Sequence, residues 1–149
     1  MTIILLDSAP LGLVTNPSAS SQAFQCKQWL QSLISNGNRI LIPEITDYEV
    51  RRELLRANKV KGIQRLDHLI NQLGYISITR EVMLKAAEFW ADVRKQGQPT
   101  ADNKALDADV ILSAQAFTII AQGEDVVIAT SNVKHLTRFV PAKIWNEII

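Results

Sequence analysis

The run TIILL at residues 2–6, closed by Asp7, decides the fold of this chain. A short apolar run followed by the loop-forming residues Asp7 to Pro10 is typical of a buried strand. About a hundred residues later, the segment ADVILSAQAF at 108–117 places Asp109 at the head of an apolar helix. An ionised carboxylate beside a core is costly unless it is paired, hydrogen-bonded or bound to a cation. These two acids therefore indicate a metal site.

Strands and helices alternate along the rest of the chain. Further strands are predicted at 39–42, 75–78 and 126–130, and residues 143–145 fit a last edge strand. Helices are predicted over 20–35, 46–57, 63–73, 80–95 and 106–121. This alternation favours an α/β fold, a three-layer α/β/α sandwich with a central parallel sheet of four to five strands. No repeat or linker divides residues 1–149, so we expect a single domain.

The composition excludes several classes of protein. Of 149 residues, 47% are hydrophobic and 21% are charged, which is a globular rather than a disordered composition. The net charge of +1 gives the whole chain no broad attraction for nucleic acid. One cysteine and two histidines argue against a disulfide framework and a zinc centre. No stretch is long and apolar enough to span a bilayer, and no signal peptide is evident, so we expect a cytoplasmic protein without a membrane partner.

Four acids are candidates for the metal site, and each has a simpler alternative. Asp7 could be only a turn residue, and Asp109 only a first-turn acid that complements the helix dipole. Asp107 could be the N-cap of that helix, and in a regular helix it cannot point at the same spot as Asp109. If Asp107 is a ligand, we expect it to join from the frayed helix end. Glu49 has Glu53 one turn away, so a solvated helical face is an equal alternative for it.

Polar residues near the ends of strands could support these acids. Ser8 follows Asp7 and could orient its carboxylate or cap a neighbouring N–H. Thr130 closes the strand 126–130, and Asn132 follows it, at the edge of a parallel sheet where ligands bind. Asn132 is most simply a turn cap, although its amide oxygen could also bind a metal-held water.

A local basic cluster follows Glu49 along the chain. Its members are Arg51, Arg52, Arg56, Lys59, Lys61 and Arg65. The cluster is either a solvated helical face or a rim that follows nucleic-acid phosphates, helped by Lys134 and Arg138.

Four stretches, spread over nearly the whole chain, carry a family resemblance. They are IILLDSAPL at the start, IPEITDYEVRREL at 42–54, LDADVILSAQAF at 106–117 and VVIATSNVKHLTRF at 126–139. In order and spacing they resemble the PIN-domain nucleases, and among them the VapC toxins of bacterial toxin–antitoxin pairs.

The resemblance implies roles for individual residues. Asp7, Glu49 and Asp109 correspond to the family's catalytic and metal-binding acids, and Asp107 corresponds to an extra carboxylate that many members carry. Ala9 stands where a hydroxyl or amide is common, and Asn132 where some members place a fourth acid. The second metal position is therefore open.

The function implied is cleavage of RNA by an endoribonuclease that depends on Mg²⁺ or Mn²⁺, acts as a homodimer and is held by a cognate antitoxin. Hard oxygen ligands suit Mg²⁺, and a bound ion can activate a water for attack on phosphate. One alternative is a PIN nuclease that acts in RNA processing or on DNA without an antitoxin. A receiver-like signalling domain is more remote, because it needs paired acids after the first strand, where Asp7 stands alone. A PIN fold used only for binding is disfavoured by the presence of all the main acids.

Overall fold

Five parallel strands form the centre of the molecule, which we describe from a computed structural model over residues 2–17, 20–97 and 103–149. The strands are β1 (Thr2–Leu6), β2 (Arg39–Pro43), β3 (Tyr75–Ile76), β4 (Asp125–Thr130) and β5 (Ala142–Ile144). Their order is β3-β2-β1-β4-β5, and every pairing is parallel. The continuous apolar run of β1 therefore lies in the middle of the sheet, where both faces are covered.

Six α-helices connect and cover the strands in the described part of the chain. They are α1 (Ser8–Thr15), α2 (Ser21–Ser35), α3 (Glu44–Arg56), α4 (Val60–Gln72), α5 (Arg80–Lys95) and α6 (Asn103–Ile120). A short 3₁₀ helix, Trp145–Glu147, follows β5. None of the helices described is long and apolar enough to cross a membrane.

Alternate side chains of the strands enter two separate cores. Ile4 and Leu6 of β1 pack with apolar residues of helices α1 to α4 on one face. Ile3 and Leu5 pack with residues of α6 on the other face, and a third apolar cluster joins α6 to α5. Burying both faces of one strand requires helices on both sides of the sheet. The predicted three-layer α/β/α sandwich is confirmed.

The beginning of α1 differs from the prediction. Residues up to Pro10 were expected in a loop, but the helix already begins at Ser8. Asp7 is its N-cap, because its carboxylate accepts the Ser8 N–H at 2.7 Å. Pro10 lies in the first helical turn, where no N–H is needed for an intrahelical bond.

A buried glutamine, Gln115, connects α6 to the edge strand β3 and to the start of α3. The Gln115 side-chain amide donates to the carbonyl of Ile76 at 2.7 Å and accepts the N–H of Ile45 at 3.3 Å. The Ile45 N–H belongs to the first turn of α3, where no intrahelical acceptor exists. Gln115 therefore fixes the start of α3 relative to α6, the two helices that carry Glu49 and Asp109.

Candidate active site

Asp7 lies where the chain leaves the carboxyl end of β1. Its backbone N–H donates to the carbonyl of Ala129 at 2.9 Å, which continues the pairing with β4. One carboxylate oxygen accepts the Ser8 N–H at 2.7 Å, and the other accepts the Thr130 hydroxyl, also at 2.7 Å. Two donors from different elements therefore hold the carboxylate in one orientation.

The Thr130 hydroxyl is itself held in place at the end of β4. Its oxygen accepts the N–H of Asn132 at 3.2 Å, and its proton is donated to the Asp7 carboxylate at 2.7 Å. Asn132 uses its side-chain oxygen to accept the N–H of Lys134 at 3.2 Å. Asn132 thus caps the turn after β4, the simpler of its two predicted roles.

Three carboxylates from different elements face one region beyond the end of β1. Burial is the largest cause that raises the pKa of Glu49 to about 7; the charges of Asp7 and Asp109 contribute to the rise, and the charge of Arg52 opposes it. Burial likewise raises the pKa of Asp109 to about 6, with an added contribution from Asp7. Because the charge of Asp7 acts on both Glu49 and Asp109, and that of Asp109 also acts on Glu49, the structure brings the three acids into one region.

The pKa of Asp7 is also raised above its ordinary value, and the main cause is desolvation by burial. The hydrogen bonds from Thr130 and Ser8 act in the opposite direction, because they stabilise the ionised form. Removal of either donor would therefore favour the protonated form of this carboxyl group.

The three acids fit a hydrated divalent ion better than a directly chelated one. No group of three or more acidic, histidine or cysteine side chains comes close enough together to hold a metal ion, as far as the described residues show. The three acids nevertheless supply only carboxylate oxygens. A bound cation would offset the repulsion between their negative charges. Mg²⁺ suits such a set, since it keeps several waters and uses only one or two carboxylates.

Asp107, the fourth predicted ligand, lies away from these acids. Helix α6 begins at Asn103 and not near 106, so Asp107 is neither an N-cap nor part of a frayed end. Its side chain is exposed and borders a groove with Met83 and Trp90 of α5. Two positions apart on a regular helix, Asp107 and Asp109 point in different directions, and direct ligation by Asp107 stays a prediction.

Arg51, which was predicted to contact RNA, forms ion pairs within the protein. Its guanidinium group forms ion pairs with Asp47 at 3.0 Å and with Asp67 at 2.7 Å. The hydroxyl of Tyr75 donates to the other oxygen of Asp47 at 2.8 Å. Arg51 therefore joins α3 to α4, Asp47 joins α3 to β3, and two carboxylates already offset the charge that was predicted to contact RNA. We call these four residues, Asp47, Arg51, Asp67 and Tyr75, the Arg51 network.

The remaining predicted RNA contacts lie at the surface. Arg52 lies over the ring of Tyr48, with 5.0 Å between its guanidinium carbon and the ring centroid. Arg56 forms an exposed ion pair with Glu53 at 2.8 Å. Lys134 is exposed in the turn after β4.

A cleft of about 420 Å³ opens between α1 and α3 beside the acids. Ser8 and Glu49 line it near the acids, and Arg52, Arg56 and Lys59 line it along the rest of α3. The cleft therefore joins the acidic region to the exposed part of the basic cluster. Its volume is within the roughly 300–1,000 Å³ of small-molecule sites.

Two residues near the acids were not singled out from the sequence as site residues. The charges of His135 and Arg138 lower the pKa of Asp109, so both lie within electrostatic range of it. Arg138 was expected only to help RNA binding, and no catalytic role was predicted for His135. Both follow β4, whose carboxyl end is the edge at which Asp7 lies, and this position was the available signal.

Similar folds occur among solved toxin–antitoxin proteins. VapBC2 from Rickettsia felis, bound to a DNA fragment from its promoter, matches with a TM-score of 0.69 and 16% identity over 95% of this chain and 98% of that one. VapBC-1 from nontypeable Haemophilus influenzae matches with a TM-score of 0.69 and 18% identity over 97% of this chain and 99% of that one.

A third structure is VapC20 from Mycobacterium tuberculosis, described as a Sarcin–Ricin loop cleaving toxin. It matches with a TM-score of 0.56 and 12% identity, over 92% of this chain and 96% of that one. No protein-family model matches the sequence, and no curated protein matches it significantly. The likeness is thus one of fold, and the chain has the PIN-like α/β/α fold of the VapC toxins.

Proposed function

We propose that this chain is a Mg²⁺-dependent endoribonuclease of the VapC type, the toxin of a toxin–antitoxin pair. The observation that carries the proposal is the meeting of Asp7, Glu49 and Asp109 beyond the end of β1, with raised pKa values that a cation would lower. The fold likeness supports it, since the similar VapC20 is a Sarcin–Ricin loop cleaving toxin.

Each group of site residues would have its own role in the reaction. Asp7 and Asp109 would hold the ion, with Glu49 facing it from α3. Bound Mg²⁺, or Mn²⁺ in its place, supplies an activated water and offsets charge on the scissile phosphate. Thr130 and Ser8 orient Asp7 through their hydrogen bonds and favour its ionised form against the effect of burial. Because these donors are fixed before substrate arrives, the site spends little free energy on ordering during the reaction.

Basic side chains around the acids would bind the RNA. The charge of Arg52 already acts on Glu49, and that of Arg138 acts on Asp109. Both guanidinium groups are therefore near the place where a phosphate must lie, and phosphate is the charge they would offset. Lys134 and Arg56 are exposed and extend this basic surface.

The proposal includes two protein partners, a cognate antitoxin and a second copy of the chain. The similar structures from Rickettsia felis and Haemophilus influenzae are VapBC complexes, which supports the antitoxin. Expression of the chain alone is expected to stop growth, and co-expression of the neighbouring gene's product is expected to relieve the arrest. Normal growth on expression, with RNA cleavage intact, would favour a nuclease that acts without an antitoxin.

Cleavage of RNA by the purified protein tests the enzymatic part directly. We expect cleavage with Mg²⁺ that stops in EDTA, and loss of cleavage in Asp7→Asn and Asp109→Asn. Asp47→Asn is the matched control, because Asp47 also lies on a site-bearing helix but belongs to the Arg51 network. Full activity in EDTA, or in either site variant, would show that the acids do not carry the reaction.

A further inference from the structure

Tyr48 is an exposed aromatic side chain immediately before Glu49. Its side chain belongs to none of the apolar clusters of the described residues, and 56% of the residue is exposed. A tyrosine so exposed contributes little to the core, whereas exposed aromatic rings are the surfaces on which unpaired bases stack. The ring is therefore available for binding.

Arg52 connects this ring to the candidate active site. It follows Tyr48 by four positions and Glu49 by three, so on a helix it is a neighbour of both. Its guanidinium group lies over the Tyr48 ring, and its side chain also lines the cleft that Glu49 and Ser8 line. The Arg52 side chain thus lies beside both the acids and the exposed Tyr48 ring.

We propose that Tyr48 and Arg52 form a stacking platform that binds one unpaired base of the RNA beside the scissile phosphate. This inference rests on the nuclease function proposed above. Unpaired bases stack on tyrosine rings and on guanidinium planes, and every base has the face that this requires. A base inside a duplex already stacks on its neighbours, so the platform selects single-stranded segments, loops and ends.

The rest of the cleft suits the sugar–phosphate backbone of the same strand. Arg56 lies seven residues beyond Glu49 on α3, a rise of about 10 Å, and Lys59 follows it at the end of the cleft. These cations contact phosphate through charge, whereas the Tyr48 ring carries none. The two kinds of contact therefore respond differently to salt, and salt separates them experimentally.

Binding of a short single-stranded oligoribonucleotide tests the platform. All proteins carry Asp109→Asn so that the RNA survives the measurement, and Mg²⁺ is present throughout. We expect Tyr48→Ala to weaken binding by about five-fold to 150-fold, the range for loss of one stacked base. Tyr48→Phe keeps the ring and is expected to bind as the parent does. Phe24→Ala is the matched control, because Phe24 is a 60% exposed aromatic on α2, which contributes no residue to the site.

Two further readouts distinguish stacking from a general loss of affinity. Tyr48→Ala should leave the slope of binding against salt concentration unchanged, while Arg52→Gln should reduce it by about one. Scanning an abasic nucleotide along the oligomer should reveal one position at which Tyr48→Ala has no further effect, because the stacked base is already gone.

The outcomes separate this inference from the nuclease function. Equal binding by the Tyr48→Ala and parent proteins, or equal losses in Tyr48→Ala and Tyr48→Phe, overturns the platform. Tight binding of a duplex of the same sequence, or a Tyr48→Ala defect confined to antitoxin binding, also overturns it. If the protein with its native acids cleaves RNA in Mg²⁺ while any of these results holds, only the platform is wrong. If that protein does not cleave RNA at all, the nuclease function is wrong as well.

Discussion

Helix α3 contributes to two groups of acids in very different electrostatic surroundings. In the Arg51 network, two carboxylates share one guanidinium group at 3.0 and 2.7 Å, and a tyrosine hydroxyl adds a further donor. Beside the cleft, Glu49 has the charges of Asp7 and Asp109 as neighbours, with Arg52 opposing them. In the first group both carboxylates contact a guanidinium group directly, whereas in the second the carboxylates act on one another as like charges.

The difference separates acids that stabilise the fold from acids that are suited to chemistry. Ion pairing in the Arg51 network raises the pKa of Arg51, chiefly through its hydrogen bond to Asp67. At the candidate site, burial and like charge instead raise the pKa of Glu49 to about 7 and that of Asp109 to about 6. Acids whose pKa values are raised by burial and by neighbouring negative charge are typical of functional sites. Four experiments test whether the two groups differ in this way.

The largest effect is expected from exchanging one acid in each group for its amide. Asp109→Asn should lower the rate of RNA cleavage by at least about 100-fold, more than the loss of a mere supporting contact. Asp47→Asn should keep cleavage but lower the free energy of unfolding by about 1–3 kcal/mol, because Arg51 loses a charged partner. Cleavage assays and urea unfolding measure the two quantities. The opposite pattern would reverse the roles assigned to the two groups.

A smaller effect is expected from removing the donor that orients Asp7. Thr130→Val keeps the shape of the side chain but deletes the hydroxyl that donates to Asp7 at 2.7 Å. Cleavage should fall by about 10- to 100-fold, the range for partners that hold a metal-binding group. Thr118→Val is the control, since that hydroxyl donates only within α6, to the carbonyl of Gln115. Similar rates in both variants would show that the Thr130 hydrogen bond is structural.

The third prediction concerns the stability of the metal-free protein against pH. The pKa of Glu49 rises from 4.5 to about 7 on folding, so the native state binds more protons than the unfolded state within this window. Stability from this group is fully present below pH 4.5 and is lost as the pH rises toward about 7. Asp109, whose pKa is raised to about 6, acts in the same direction.

Thermal melts in EDTA between pH 5 and 8 measure this dependence. The melting temperature should fall with rising pH, and Glu49→Gln should flatten the curve while Asp47→Asn does not. Adding Mg²⁺ at pH 8 should restore stability, by about 2.7 kcal/mol at a concentration 100 times the dissociation constant. A flat curve in the parent protein would mean that the three acids do not interact as described.

The smallest effect is expected from the exposed arginines. Reversing Arg52 and Arg56 to glutamate should weaken RNA binding and flatten its salt dependence, by about one unit of slope for each phosphate that the protein no longer neutralises. Arg51→Gln should leave the slope unchanged and reduce stability instead, because its partners are Asp47 and Asp67. A salt titration of RNA binding compares the double reversal and Arg51→Gln with the parent protein. An unchanged slope in the double reversal would remove these two arginines from the RNA surface.

The strands and the position of Asp7 at the end of β1 were predictable because their signals are local. An apolar run ended by Asp7 identifies β1, and parallel strands place their carboxyl ends at one edge, so Asp7 and Thr130 could be expected to be close. The hydrogen bond of 2.7 Å between them agrees with that reasoning. The sandwich followed from the alternation of strands and helices in the same way.

The details that were missed depend on how helices pack and where they begin. Arg51 and Arg52 are adjacent in the sequence. Arg51 pairs with Asp47 one turn away on α3 and, because of how α4 packs, with Asp67, whereas Arg52 lies beside the cleft. The start of α6 was predicted several residues too late, since the helix already includes Asn103 and Asp107 lies within it rather than at its end. The start of α1 was missed because Pro10 and Gly12 disfavour helix, a local preference that the Asp7 cap overrides.

The hydrogen bonds of Gln115 bear on how activity can be lost at a distance. Its amide holds the first turn of α3 and the end of β3 from a position on α6, without belonging to the acidic group itself. A glutamate there would turn an acceptor toward the carbonyl of Ile76, and the relative placement of Glu49 and Asp109 would change with it. A random screen for inactive variants should therefore recover this interior amide alongside the surface-facing acids, and the recovered proteins should fold yet fail to cut.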